Sequence, residues 1–163
     1  MILTFTTGHN QTTTFPAWFS DSFKSKGLDN KYDIASFLKH SLLQTDFNGD
    51  ATQDIAVLVI EKAPKRKGIL LIHRGTNEHF AFGAGTPLNG DKDFKWADKW
   101  QLYTKKTAFE TQFHKESGDI LGGKEVKLVR PGILIEDYED GFALAGGIIY
   151  WNGMKYIWIH QGE

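Results

Sequence analysis

The 163-residue sequence predicts a single α+β domain, residues 1–163, built mainly on antiparallel β-sheet with one or two helices near the N-terminus. Three observations lead there. TTTFPAWFSDSFKSKG gathers Phe15, Trp18, Phe19 and Phe23 on one helical face, after a proline and before Gly27. From Ile55 onward, short runs of branched and aromatic residues follow one another between turn formers. No linker and no internal repeat divides the chain.

Each element follows from its own residues. Proline suits a first helical turn, and glycine ends a helix because it adopts the left-handed conformation without strain. Residues 33–43 fit either a second short helix, with Ile34, Phe37 and Leu38 on one side, or an extended segment. IAVLVI, GILLIHR and EHFAFG are predicted strands, joined by the polar loop EKAPKRKG and the tight connection GTNE. Residues 84–95 form a Gly/Pro/Asn/Asp loop, whereas 96–104 and 107–113 fit strand or helix. KESGDILGGKE is predicted as loop, and EVKLVR, GILIED, GFALAGGIIYW and KYIWIH as closing antiparallel strands.

The last hairpin allows a register to be counted. Asn152-Gly153 is the preferred pair for a two-residue type I′ turn, which sets Tyr150 opposite Lys155, Ile149 opposite Tyr156 and Gly147 opposite Trp158. Trp158 then covers the bare backbone at Gly147. Both faces of this hairpin are apolar, so it is predicted at the sheet centre with cover on each side. The Ala143, Ala145, Gly147 row needs something close above it, and the aromatic N-terminal helix is the predicted cover.

Composition excludes several classes. The 40% hydrophobic and 24% charged residues are those of a folded globular chain, and no apolar run is long enough for a membrane-spanning helix. With no cysteine there is no disulfide, thiolate zinc site or thiol nucleophile. A formal net charge of −1 gives no electrostatic footprint for nucleic acid. MILTFTTGHNQTTTFPAW has neither a basic start nor a continuous apolar stretch, unlike a signal peptide.

The most specific segment is Asp46-Phe-Asn48-Gly49-Asp50-Ala51-Thr52-Gln53-Asp54. Oxygen side chains fall at positions 1, 3, 5 and 9, and Thr52 at position 7 can offer its carbonyl, a spacing that suits calcium. Asp46, Asn48, Asp50, Thr52 and Asp54 are therefore the candidate metal ligands. The alternative is a metal-free turn in which Asp46 and Asp50 accept loop N–H groups. DFNGDATQDIAVLV resembles the D-x-N-G-D-G-x-x-D-hydrophobic loop of FG-GAP and VCBS-type proteins, with Ala51 where that pattern has glycine. Residues 32–163, with the closing YW-N-G hairpin, are also similar to a group of bacterial envelope proteins. The resemblance implies a β-rich domain and a periplasmic or extracellular setting, and it implies no activity.

Other constellations are weaker. Trp96, Trp100 and Tyr103 could stack on a sugar or a partner's apolar surface, or pack as one helical face in the core. Glu136, Asp137, Glu139 and Asp140 could serve glycoside hydrolysis, or form a solvated turn ending in Asp140-Gly141. The six histidines lack paired metal-ligand spacing, and His73 and His160 on strands fit satisfied core-edge residues. No serine lies in a G-x-S-x-G elbow, and GAGTPLNG lacks the lysine and helix of a phosphate loop. The sequence thus points to a non-catalytic secreted or envelope module that binds a protein or glycan, with calcium as the candidate cofactor. A carboxylate-dependent hydrolase and a purely structural accessory domain are the alternatives.

Overall fold

The computed structural model describes residues 13–162; the N-terminal stretch 1–12, which carries part of the signal-peptide reading, lies outside the described residues. Two helices come first, α1 (Ala17–Ser25) and α2 (Leu28–Lys31). Pro16 sits just before α1 and Gly27 just after it at φ 66°, the left-handed conformation expected of a helix stop. The segment 33–43 is extended and not helical: it holds β1 (Tyr32–Ile34) and leads into β2 (Leu42–Thr45).

These strands join β3 (Asp54–Glu61), β4 (Lys67–Ile72) and β5 (His79–Gly83) in a first sheet. β1 and β2 lie end to end along one edge of β3, and β4 and β5 follow on the other side, all antiparallel. β3 and β4 are buried on both faces, as their lack of alternation requires. Ile55, Val57, Val59, Leu70 and Ile72 meet Phe19, Phe23, Leu28 and Tyr32 on the helical side. Ala56, Leu58, Ile69 and Leu71 point the other way, into the inter-sheet core.

The second sheet runs β11–β10–β9–β6, from β6 (Lys99–Tyr103), β9 (Gly132–Glu139), β10 (Phe142–Trp151) and β11 (Tyr156–Gly162). Trp100, Ile133, Ile135 and Ile149 face the first sheet across the common core. On the outer face Leu134, Ile148, Tyr150 and Ile159 pack with Ala108 and Leu128 from the edge of a two-stranded ribbon, β7 (Thr107–Phe113) with β8 (Ile120–Lys127). The predicted loop at 115–125 is thus half strand. The layers run helices, sheet, sheet, ribbon. No helix among the described residues is long and apolar enough to cross a membrane.

The terminal hairpin departs from the counted register. Trp151 pairs with Tyr156, Ile149 with Trp158 and Gly147 with His160, so the loop has four residues. The reason is local. A type I′ turn needs φ > 0 at both central residues, and only Gly153 has it. The Asn152 side chain instead accepts the N–H groups of Met154 and Lys155, at 2.9 and 3.0 Å, closing a wider turn. The displacement is an even number of residues, so every side chain keeps its face, and Trp158 still lies against Gly147, now diagonally. β11 is an edge strand, so the hairpin's centre is β10 alone. The aromatic helix covers the first sheet and leaves the Ala/Gly row to Trp158.

A Cβ added at Gly147 would run into the Trp158 ring. Gly147→Ala should therefore destabilise by about 1–3 kcal/mol in the natural background. The penalty should largely vanish in Trp158→Ala, itself destabilising by roughly 3 kcal/mol. A double-mutant cycle by urea melting measures the coupling, and additive effects would show that ring and glycine do not touch.

Candidate functional site

The β2–β3 connection is the loop 46–53, and it is closed by its own side chains. Asp46 Oδ1 accepts the N–H of Gly49 at 2.6 Å and of Asp50 at 3.1 Å, and Oδ2 accepts that of Ala51 at 2.8 Å. Asn48 Oδ1 accepts the Asp50 N–H at 3.1 Å. Asp50 Oδ1 accepts both the N–H and the hydroxyl of Thr52, at 2.8 and 2.5 Å. Those bonds favour the ionised carboxylate and hold Asp50 below the ordinary aspartate range, with the Thr52 hydroxyl the largest cause. A Cβ at Gly75 would meet the Asp50 carboxylate, which would have to shift.

Asp54 behaves differently. It opens β3, is wholly buried, and spends Oδ2 on the Phe47 N–H at 2.9 Å and Oδ1 on the Arg74 N–H at 3.0 Å. Burial pushes its pKa up, and the two N–H bonds oppose that shift. The same N–H bonds pin the loop to the β4–β5 turn. Phe47 beside it fills the inter-sheet core.

A buried histidine ties this loop to the second sheet. The Asn48 side-chain amide donates to Asp50 Oδ2 at 3.1 Å and reaches His73 Nδ1 at 3.3 Å. That makes Nδ1 the acceptor and places the ring proton on Nε2, which donates to Tyr156 Oη at 2.6 Å. His73 is wholly buried and ringed by Phe80, Trp151 and Tyr156. Burial lowers its pKa, with the carboxylates of Asp54, Glu78, Asp50 and Asp46 pulling the other way, and burial raises that of Tyr156. Both are therefore neutral near pH 7.

The side-chain oxygens of the candidate ligands already have hydrogen-bond partners within the chain. Asp46 and Asp50 accept loop N–H groups. Asp54 turns toward Phe47 and Arg74, and Asn48 presents its amide nitrogen to His73. The Arg130 guanidinium lies over Gly49 and donates to the Trp151 carbonyl at 3.1 Å, bringing a positive charge beside the acidic loop. Among the described residues no group of three or more His, Cys, Asp or Glu is placed to hold a metal ion.

The aromatic candidates are dispersed. Trp100 is 1% exposed in the inter-sheet core, and its indole N–H donates to the Lys39 and His40 carbonyls at 2.9 Å. Tyr103 donates to the Thr107 carbonyl at 2.7 Å. Trp96, in a 3-10 turn at Phe94–Trp96, faces a groove of about 290 Å³. Leu88, Asp91, Trp96, Asp137, Trp158 and His160 line it, with Ala145 and Gly146 as its floor. Both indoles are fixed by their N–H groups, Trp96 on Asp91 and Trp158 on His160 Nδ1 at 3.4 Å.

The groove escaped sequence reasoning because four separate segments build it. Its local traces were Trp96, already a candidate stacking residue, and the Ala/Gly row of β10, which asked for a close neighbour. Glu136 and Asp137 are successive residues of β9, and Asp140-Gly141 makes a two-residue turn with both φ positive. Asp137 instead meets Asp98 from the preceding segment; burial first, then this neighbour, raises the Asp137 pKa. Comparison with known proteins finds no matching family model, no similar curated protein and no similar solved structure.

Two outcomes follow from the loop. Ala51 stands at φ 66°, so Ala51→Gly should stabilise by about 0.5–1 kcal/mol, read from the urea midpoint. The melting temperature should be the same with calcium as with chelator, and a calcium-dependent rise abolished by Asp50→Ala would show that a cation displaces the N–H donors. For His73 the folded pKa lies below the unfolded value. The unfolded chain therefore gains a proton that the folded chain refuses as pH falls below about 6.5, and stability drops by up to ~1.4 kcal/mol per pH unit. His73→Gln should flatten that acid limb in pH-dependent melts, whatever it does to the neutral-pH stability.

Proposed function

We propose that this domain is a non-catalytic binding module, secreted or envelope-associated as its D-x-N-G-D loop resemblance implies, that engages a glycan or protein partner through the Trp96–Trp158 groove. The observation that carries this reading is the groove itself: two anchored indoles beside the small residues of β10, with a few polar groups in the lining. Concave, mostly apolar sites with a few placed polar groups are where small ligands and glycan rings bind. Aromatic rings held by their own N–H bonds lose little entropy when a ligand stacks on them.

The hydrolase reading has one observation in its favour, the Asp98–Asp137 pair. Two carboxyls in contact can share a proton, as an acid and base would. Asp98, however, accepts the Tyr138 N–H at 3.0 Å and lines a different cleft with Lys39, His40 and Tyr138. A substrate in the groove meets Asp137 without its partner. Among the described residues there is no thiol and no cluster placed to hold a metal.

An amide-resolved NMR titration with a panel of soluble saccharides and short peptides tests the reading. Ligands should shift Leu88, Ala145 and Gly146, and Trp96→Ala should weaken them by about tenfold. Shifts confined to other surfaces would refute the groove. Steady turnover of nitrophenyl glycosides that Asp137→Asn abolishes would establish the hydrolase.

A further inference from the structure

The groove's charge is one-sided. Its lining carries the carboxylates of Asp91 and Asp137 and no lysine or arginine. The Asp98 carboxyl stands beside Asp137 from the adjoining cleft and adds to the negative field on that side. Aromatic faces add to the same field, because the ring quadrupole is negative above and below its plane. An anion is repelled there, and a neutral ligand leaves the lining carboxylates Asp91 and Asp137 without a counter-charge. A cation relieves that repulsion and gains from the indoles together.

Shape narrows the class. A volume of about 290 Å³ stands at the small end of ligand pockets, enough for a single ring. Asn89 and Asp91 add an amide and a carboxylate to the lining, where a ligand with several hydroxyls finds partners and a plain alkyl chain finds none. Asp91 is already oriented, since it accepts the Trp96 N–H on one oxygen and the Asp93 N–H on the other, at 3.0 Å for the latter.

We propose that the groove takes the ring of an amino sugar with a free ammonium group, seated between Trp96 and Trp158 with the ammonium against the Asp137 carboxylate. This rests on reading the domain as a binding module that uses this groove. Charge-assisted hydrogen bonding fixes the ammonium, and stacking on indole holds the ring. Acetylating the nitrogen removes the charge and adds bulk, so the N-acetylated sugar is excluded by the same features.

The experiment is an amide NMR titration with four separate probes near neutral pH: D-glucosamine, N-acetyl-D-glucosamine, D-glucose and n-butylammonium. D-glucosamine should shift the amides of Leu88, Ala145 and Gly146, with the other three weaker by about tenfold or more. Asp137→Asn, an isosteric change at a partly exposed strand position, should erase the preference for glucosamine over glucose while the rest of the spectrum stays folded. Equal binding of glucosamine and glucose at these amides overturns the ammonium inference but leaves the binding module standing. Butylammonium as tight as glucosamine overturns the ring. No shift at the groove from any probe or from the wider panel overturns both.

Discussion

The structure depends on a single constraint, the two-sided burial of β3 and β4. Ile55 to Val59 and Ile69 to Ile72 are 0% exposed. A strand apolar on both faces cannot form one wall of a simple two-layer domain. It needs cover twice, and each full burial of such a side chain stabilises by roughly 1.5–3 kcal/mol. The aromatic helix supplies one cover through Phe19 and Phe23, and the second sheet supplies the other through Trp100, Ile133, Ile135 and Ile149. The second sheet repeats the demand in β10, and the β7–β8 ribbon answers it. The four layers are successive responses to apolar faces that would otherwise meet water.

A polar problem comes with that solution. β3 begins at a carboxylate, Asp54, and β4 leads into an imidazole, His73, and both are wholly inside. An unpaired buried charge is costly, so every available polar atom around them is used. Phe47 and Arg74 give their N–H groups to Asp54, while Asn48 and Tyr156 take the two ring nitrogens of His73. No buried side-chain nitrogen or oxygen among the described residues is left without a partner. The chain Asp50–Asn48–His73–Tyr156 spans the two sheets. It sets how they face one another, a specificity that apolar contacts, which slide, do not give.

How far the sequence could be read depended on whether the deciding physics was local. The helix over 17–25 was legible from its aromatic face, with its stop at Gly27, and the IAVLVI and GILLI strands from their composition. X-Gly pairs divide instructively. Asn89-Gly90 and Asp140-Gly141 adopt left-handed conformations at both residues and make two-residue turns. Asn152-Gly153 does not, because the Asn152 side chain reached two downstream N–H groups and widened the loop. The same dipeptide has two local minima, and the flanking strands choose between them. The first part of β8 was read as loop because Gly122 and Gly123 suppress its strand signal, while its end fell within the predicted strand EVKLVR, and its partner β7 was itself ambiguous. In the loop, the Asp46 and Asp50 hydrogen bonds follow from turn chemistry within a few residues. The His73 contact spans 25 residues and had no local trace.

The groove shows how a packing defect becomes a site. β10 carries Ala145, Gly146 and Gly147 opposite Asp137, Glu136 and Ile135 of β9, and the register slips between Ala143 and Ala145. Small residues at a bulge leave a hollow that side chains from elsewhere must roof. Trp158 roofs Gly147 by contact with its backbone, which consumes one end of the hollow. At the other end, the segment after β5 arrives with the Asn89-Gly90 turn and Trp96, and Asp91 holds the indole by its N–H. Neither tryptophan can swing in to fill the remaining space without breaking the bond that orients it. A core closes such a space by collapse and gains its contacts. Here the hydrogen bonds from Trp96 to Asp91 and from Trp158 to His160 oppose collapse, so the volume persists in the folded state and its rings are already in place for a ligand.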